Sequence, residues 1–378
     1  MNQWLQPAPA RPRLVLLTLD FLPGVGGVQE YLYQIGQRLA ETYDVTVVTP
    51  ISDPLSGSGP LPGSGLLPEP ARLQRVVVPA TPLAFWQHLR HLRPAQVLVG
   101  HAHPRLLLAA AFYGRYSAIA YGNDFLAAQK RWHRLLFNRL LARAAPLITI
   151  SQASSLRLQQ LGLPKPLIVR PGVDPQRFTP FPRRLDEEPP TLLTVGRLVG
   201  RKGIDTVLQS LPALLAEFPD LRYLIGGDGP DRQRLEQLAQ RLGVTPAVSF
   251  LGKIDPAALP HLYRQADIFI MPARAEEENS SVEGFGIVYL EASASSLPVI
   301  AGHSGGSAEA VRDGQTGLLI PPDDPARAVE AASRLLRDPV WRRQLGANGR
   351  CWIEAEMNWN RAGEEMLSAL LPGSGRRS

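Results

Sequence analysis

The sequence predicts an α/β protein made of two Rossmann-like domains, each built on a parallel sheet. Short apolar runs alternate with stretches of helical periodicity along almost the whole chain. The alternation comes as two series, separated by the charged, proline-rich segment FTPFPRRLDEEPP (178–190), which reads as an interdomain linker. A length of 378 residues also exceeds what one ordinary core organises, so two domains are expected.

In the first series, RLVLLTL (13–19) reads as a buried strand, followed by the glycine loop DFLPGVGGVQ and the helix-periodic EYLYQIGQRLA. Strand, loop and helix in that order open a parallel α/β unit. DVTVVTP (44–50) is the next strand. Residues 51–70 are dense in Pro, Gly and Ser and predict a surface loop. AQVLVG (95–100), SAIAYG (117–122) and PLITIS (146–151) read as further strands, and KPLIVRPGVD closes the series. The second series runs through TLLTVGR, RYLIGGDG, AVSFLG, DIFIMPA, LPVIAG and TGLLIPP, again with helical stretches between. Open parallel sheets bind ligands beyond the carboxyl ends of their strands. Two of them predict one shared cleft.

Apolar content of 44% and charged content of 20% describe a folded chain. No apolar run reaches the ~18–20 residues of a bilayer span, and MNQWLQPAPARPR lacks a signal-peptide core. The single cysteine, Cys351, permits no intrachain disulfide and points to a reducing, cytoplasmic compartment. The net charge of +6 comes without zinc-ligand spacing, interleaved aromatic and basic residues, or a long basic block, so no nucleic-acid partner is expected. Of 40 basic residues only Lys130, Lys165, Lys202 and Lys253 are lysines, which suits sites needing a compact point charge.

Each distinctive loop follows an expected strand. In GVGGVQ (24–29), Gly26 and Gly27 let backbone N–H groups approach a phosphate at a helix start, although the same residues serve equally as a tight turn. In VGRLVGRKG (195–203), Arg197 directly follows a strand and Lys202 comes five residues later. Together they suit a diphosphate, or else a solvated basic loop. FLGKI (250–254) can offer the backbone of Ile254 to a flat base.

VEGFGIVYLEA (282–292) places Glu283 and Glu291 on either side of a Gly-containing apolar run, where an unpaired buried carboxylate would be costly. If a helix begins near Gly286, the N–H groups of Gly286, Ile287 and Val288 are free for phosphate or sugar oxygens. Glu283 then precedes the terminus and Glu291 lies about one turn inside. Two carboxylates gripping hydroxyl groups, with phosphate between them, match the layout of a nucleotide sugar.

On these motifs the chain resembles the retaining glycosyltransferases of family 4, which have the two-domain GT-B fold. The E-x7-E pair stands as Glu283 and Glu291, and the resemblance runs from Asp20 to about Trp359. It includes FLPGVGGVQ, RPGVDPQRFTP, GRLVGRKG, GGDGP, SFLG, ADIFIMPAR, VEGFGIVYLEASA, PVIAGHSGGSAEAV and DGQTGLLIPP. Within the family it is most similar to mannosyltransferases that use GDP-mannose to mannosylate phosphatidylinositol mannosides.

The resemblance implies roles residue by residue. Gly26 and Gly27 approach the donor phosphates, and Arg197 with Lys202 neutralises the diphosphate. Glu283 holds sugar hydroxyls together with the backbone of Gly284, Phe285, Gly286, Ile287 and Val288. Glu291 holds the ribose, and the backbone near Ile254 contacts the base. It also implies an acceptor-side domain at 1–182, a nucleotide-sugar domain at 183–355, and a last helix near 356–372 crossing back onto the first domain. One departure stands out. The family's T-H-G-x-E/D stretch reads AYGND here, so Tyr121 replaces the histidine. His101 and His103 of VGHAHPR follow the neighbouring strand, as catalytic groups or as ordinary polar loop residues. The expected catalytic set is Tyr121, His103, Arg197, Lys202 and Glu283.

The expected reaction is transfer of a hexose from a nucleotide diphosphate to a hydroxyl of a lipid or glycan, with retained configuration. No D-x-D occurs, so Arg197, Lys202 and helix N-termini are expected to stabilise the departing diphosphate, with no metal and no cofactor. Rival readings are a UDP-hexose-dependent transferase, a nucleotide-sugar epimerase and a non-catalytic sugar-binding subunit. A pyridoxal-phosphate phosphorylase fits poorly with four lysines. QKRWHRLLFNRLLAR (129–143) is basic and apolar, which suits peripheral contact with an anionic membrane at the inner face. Arg139 and Arg143 fall on the side of Trp132, however, so a solvated helix face fits this segment better.

Overall fold

The computed structural model describes residues 11–22, 26–50, 73–122, 124, 134–181, 188–276 and 283–371. The loop expected at 51–70, residues 129–133 of the basic apolar segment and residues 182–187 of the expected linker lie outside them.

The first sheet contains β1 (Arg13–Leu17), β2 (Asp44–Pro50), β3 (Leu73–Val78), β4 (Gln96–Val99), β5 (Ser117–Ala120), β6 (Leu147–Thr149) and β7 (Leu167–Ile168). Its order is β3-β2-β1-β4-β5-β6-β7. Between these strands come helices α1 (Gly27–Leu39), α2 (Pro82–Leu92), α3 (Pro104–Tyr113), α4 (Arg134–Ala142) and α5 (Gln152–Gln160). β1 pairs in parallel with β2, Leu14 opposite Val45, and with β4, Leu14 opposite Gln96. Covered on both faces, β1 buries every residue after Arg13, which is why it reads as an unbroken apolar run. β3 is the strand that the apolar pattern passes over. Its Gln74 and Arg75 are exposed, which an edge position tolerates.

The second sheet contains β8 (Thr191–Val195), β9 (Arg222–Gly226), β10 (Val248–Gly252), β11 (Ile268–Met271), β12 (Val299–Gly302) and β13 (Gly317–Ile320), in the order β10-β9-β8-β11-β12-β13. Its helices are α6 (Ile204–Glu217), α7 (Arg232–Arg241), α8 (Leu259–Arg264), α9 (Ile287–Ala294), α10 (Pro325–Arg337) and α11 (Pro339–Ala355), and the chain ends in α12 (Trp359–Leu370), which from Gly363 on belongs with the first sheet. Leu192, Ile225, Ile268 and Ile270 from the strands pack with Val207, Leu211 and Leu214 of α6 and with Ala328, Ala332 and Leu335 of α10. Local signals start several of these helices. Asp324 and Asp338 cap α10 and α11 by accepting from Arg327 N (3.1 Å) and Trp341 N (2.9 Å), each just before a proline at the first helical position.

The chain forms two compact units. The described residues of Met1–Ala120, Trp132–Ile148 and Gly363–Ser378 make one, and those of Tyr121–Arg131 and Thr149–Ala362 the other. Within the first unit, Gln96 Nε2 donates to Leu370 O at 3.1 Å, and Gly363 lies against the Arg38 side chain. Among the described residues no helix is long and apolar enough to cross a membrane.

In the second sheet the chain leaves β8 toward β9 on one side and enters β11 on the other, so the order reverses between them. Such a reversal leaves a crevice at the carboxyl ends of the strands. The segments after β8 and β11 carry Lys202 and Glu283.

Candidate active site

The site in the second unit starts with the turn after β8. A 3-10 turn, Gly200–Lys202, ends on Gly203, whose φ of 69° lies in the left-handed region. A Cβ on Gly203 would sit 2.1 Å from Pro272 O, so only glycine lets the turn press against the segment leaving β11. That contact drives Lys202 inward, leaving it 6% exposed.

From the other side, α9 begins at Ile287 with Gly286 as its N-cap at φ 93°. A Cβ there would come within 2.5 Å of the Tyr289 ring. The helix start expected near Gly286 is therefore where the structure has it. Glu283 stands just before, its backbone carbonyl accepting from Gly306 N at 3.0 Å. Tyr289 is anchored beneath by donating its Oη to Met271 O at 2.8 Å.

Lys202 Nζ donates to Glu283 Oε2 at 2.8 Å, and Arg201 Nη1 donates to the same oxygen. Burial pushes the Glu283 carboxyl up, but attraction to Lys202 and then to Arg201, with their hydrogen bonds, outweighs it and holds the group below its ordinary 4.5. Glu283 is therefore an anion at neutral pH. An ammonium has three donors and this one gives a single bond to Glu283, so Lys202 keeps capacity for a ligand oxygen.

Glu291 lies four residues past Ile287, about one turn into α9. Its Oε2 accepts from Tyr263 Oη at 2.7 Å. Phe285 is fully buried beneath the Glu283 loop, while Ile287 and Val288 form the first, half-buried turn of α9. Ile254 follows β10, and its Cγ1 would lie 3.2 Å from a Cβ on Gly226, placing it over the end of β9.

The other expected residues fall in several places. Arg197 is exposed after β8, and among the described residues no ion pair joins it to Glu283. Arg201, which the sequence reading did not single out, holds that position beside Lys202. Its one available signal was its place next to the lysine in GRKG.

Tyr121 is 8% exposed. Its N–H and that of Gly122 donate to the Asp124 carboxylate at 3.1 and 2.9 Å, and its carbonyl accepts from Ser154 Oγ at 3.0 Å. The same carbonyl would be 3.1 Å from a Cβ on Gly284, so this turn touches the residue next to Glu283. Glu309, in the 3-10 turn whose Gly306 bonds Glu283, accepts from Gln152 N and Ala153 N, both at 2.9 Å, at the start of α5.

Gly26, His101 and His103 belong to the first unit, as does Gly27. Gly26 is the N-cap of α1 and Gly27 its first residue. His103 caps α3, its ring accepting from Arg105 N at 3.2 Å. His101 is 3.3 Å from Thr18 Oγ1 through Nδ1, and burial pushes it down from 6.5 to about 4, so it is neutral. His103 thus has a structural task as an N-cap in addition to any chemical one. Among the described residues no cluster of His, Cys, Asp and Glu suits a metal ion.

The profile of glycosyl transferases group 1 matches residues 175–352, and that of Glycosyltransferase Family 4 matches residues 25–177. The chain is 32% identical to the GDP-mannose-dependent alpha-(1-6)-phosphatidylinositol monomannoside mannosyltransferase of Mycolicibacterium smegmatis, covering 96% of this chain and 99% of the relative. It is 31% identical to the GDP-mannose-dependent monoacylated alpha-(1-6)-phosphatidylinositol monomannoside mannosyltransferase of Corynebacterium glutamicum, covering 96% and 98%. Sucrose-phosphate synthase from Thermosynechococcus elongatus shares the fold with a TM-score of 0.75 at 24% identity, over 95% of this chain and 98% of that one. Anabaena HepE, solved with UDP and glucose, does so at 0.77 and 19%, over 95% and 99%.

Proposed function

We propose, from the premise that this chain belongs to glycosyltransferase family 4, that it moves mannose from GDP-mannose to a hydroxyl of a phosphoinositide-type glycolipid with retention of configuration. The observation that carries the reading is the Glu283 anion, held by Lys202 and Arg201 at the start of α9. A pyranose ring offers hydroxyl donors to such a carboxylate. A diphosphate beside it meets a lysine, an arginine and the N–H groups of Gly286, Ile287 and Val288.

As the bond from the anomeric carbon to the diphosphate oxygen breaks, negative charge grows on that oxygen. Lys202 and the helix N-terminus face it and stabilise the transition state more than the ground state. The acceptor oxygen attacks the same face, and its proton passes to the departing phosphate. Arg197 completes the diphosphate contacts, Glu291 takes the ribose, and Tyr121 stands near the reacting sugar. The donor specificity is supported by the two mycobacterial and corynebacterial relatives, whose printed activities use GDP-mannose.

The reading needs neither metal nor organic cofactor, and it places the enzyme in the cytoplasm, reaching a lipid acceptor at the inner face of the membrane. Turnover with a panel of nucleotide sugars tests it directly. GDP-mannose is expected to be the best donor, in the presence of excess EDTA, and product is expected only when acceptor is added. UDP binding much tighter than GDP in calorimetry would replace the donor with a UDP-hexose. Sugar release without acceptor would make the protein an epimerase.

A further inference from the structure

The first sheet has a reversal of its own. The chain leaves β1 toward β2 on one side, and β4 joins β1 on the other. The carboxyl ends of β1 and β4 are therefore where this unit, taken by itself, offers a ligand crevice. Thr18 follows β1, and His101 comes two residues after β4. Gly100 N donates to Leu17 O at 2.7 Å, and a Cβ on Gly100 would lie 3.1 Å from that oxygen. The turn after β4 is thus pressed against the end of β1, which brings His101 to Thr18. The ring of His103 stands edge-on to that of His101, 6.2 Å away between centroids.

The proton of His101 can be placed. Thr18 Oγ1 has one hydrogen and three polar neighbours: Asp20 O at 2.8 Å, Asp20 N at 3.1 Å and His101 Nδ1 at 3.3 Å. A backbone carbonyl only accepts, so the hydroxyl proton goes to Asp20 O, the shortest contact. The hydroxyl oxygen then accepts from the Asp20 N–H and from Nδ1–H of His101. Burial pushes the imidazole from 6.5 down to about 4, so the ring is neutral at pH 7 and its lone pair is on Nε2. Among the described residues no group donates to Nε2, and this nitrogen is not one of the side-chain atoms sealed from solvent without a partner. An acceptor of this kind takes a hydroxyl proton and offers nothing to a phosphate.

We propose that His101 is a ligand-binding residue of the first unit: Nε2 accepts a hydrogen bond from a hydroxyl of a polyol, in the proposed reaction the headgroup of the lipid acceptor. The choice of polyol rests on the reading above, whereas the direction of the hydrogen bond follows from Thr18. The hydroxyl held by His101 is one that does not react, so the proton of the attacking oxygen still passes to the departing phosphate.

Nitrogen NMR of the full chain with 15N-labelled histidine reads the ring directly, and His101→Asn assigns its signals by their loss. In wild type at pH 7, Nδ1 is expected to be protonated and Nε2 bare. Glycerophosphoinositol, a water-soluble headgroup, is expected to move the Nε2 signal toward the hydrogen-bonded range, and GDP-mannose alone to leave it in place. Asparagine keeps an N–H for Thr18 and has no acceptor where Nε2 stood, while glutamine reaches that place with its amide oxygen. His101→Asn is expected to raise acceptor KM about tenfold with donor KM unchanged, and His101→Gln to recover most of the loss.

A proton on Nε2 in the free protein, or an Nε2 signal that no polyol or glycan moves, overturns the proposal. So does a His101→Asn variant with the acceptor KM of wild type. If that variant raises donor and acceptor KM alike, or His101→Gln restores nothing, the ring is there for packing and the binding role is wrong. Failure of the reading above looks different. Glycerophosphoinositol would then neither accept mannose nor move the signal, while a glycan such as maltose moves it, and the role of His101 stands with another acceptor.

Discussion

Glu283 and Glu291 sit eight residues apart on one segment, the first just before α9 and the second about one turn into it. Lys202 and Arg201 both donate to one oxygen of Glu283, whereas Glu291 takes a bond from the neutral phenol of Tyr263. The difference separates two uses of a carboxylate. In the proposed reaction, the anion between two cations stands where charge moves, and its neighbours set the local field. In the same reaction, an anion that accepts from a neutral phenol offers its charge to a ligand hydroxyl. The E-x7-E spacing is common to both residues, so their division of labour lies in what the rest of the unit brings to each.

The largest expected effect comes from breaking the ionic end. Glu283→Gln leaves Lys202 buried beside Arg201 without its counter-charge, at a cost of ~3–5 kcal/mol in stability. It is also expected to lower kcat by ~10²–10³. Calorimetric melting and single-turnover assays read the two losses. The stability gap has a pH signature. Because the folded-state pKa of Glu283 lies below its ordinary 4.5, its contribution is complete above that value and is lost as pH falls through the lower folded-state pKa. The melting-temperature gap between wild type and Glu283→Gln should therefore close in that acid window. A gap that stays constant as pH falls well below 4.5 would mean that folding does not lower the Glu283 pKa.

Lys202→Ala and Arg197→Ala are next, each expected to lower kcat by ~10²–10³ with a smaller effect on donor affinity. Arg201→Ala sharpens the comparison. It is expected to cost roughly tenfold in kcat and to move the acid limb of kcat/KM upward, since one of the two cations holding Glu283 down is gone. An unmoved acid limb would remove Arg201 from the ionic end.

At the other end the effect is smaller and of another kind. Glu291→Gln is expected to raise donor KM by about tenfold at nearly constant kcat, because the ribose is held equally before and during reaction. A kcat loss as large as that of Glu283→Gln would erase the distinction between the two glutamates. The smallest effect is expected at Tyr121, whose turn touches Gly284 through its backbone. Tyr121→Phe should lower kcat about threefold to tenfold, as for one neutral hydrogen bond, and Tyr121→His should keep activity. Wild-type turnover in the Phe variant would leave that turn with a structural role.

Periodicity and local chemistry made much of this protein legible in its sequence. The alternating apolar runs gave the parallel α/β character of both series, and the helix start at Gly286, with Glu283 before it and Glu291 about one turn inside, followed from the Gly-containing stretch itself. These features rest on interactions within a few residues, where spacing and conformational freedom decide the outcome. The partner of each glutamate is another matter. Arg201 and Lys202 lie more than eighty positions from Glu283, and GRLVGRKG offers Arg197 as readily as Arg201. Only the order β10-β9-β8-β11-β12-β13, which sets β8 beside β11, and the close contact of Gly203 with Pro272 bring Lys202 to Glu283. Tyr263 likewise reads as a core aromatic in HLYRQAD, and its phenol is directed to Glu291 by packing against Phe178 and Phe269. Spacing along the chain settles which elements form and which side chains are available. Which charge meets which was decided by the tertiary structure, because an ion pair or a buried hydrogen bond depends on ångström distances that sequence spacing does not encode across separate strands.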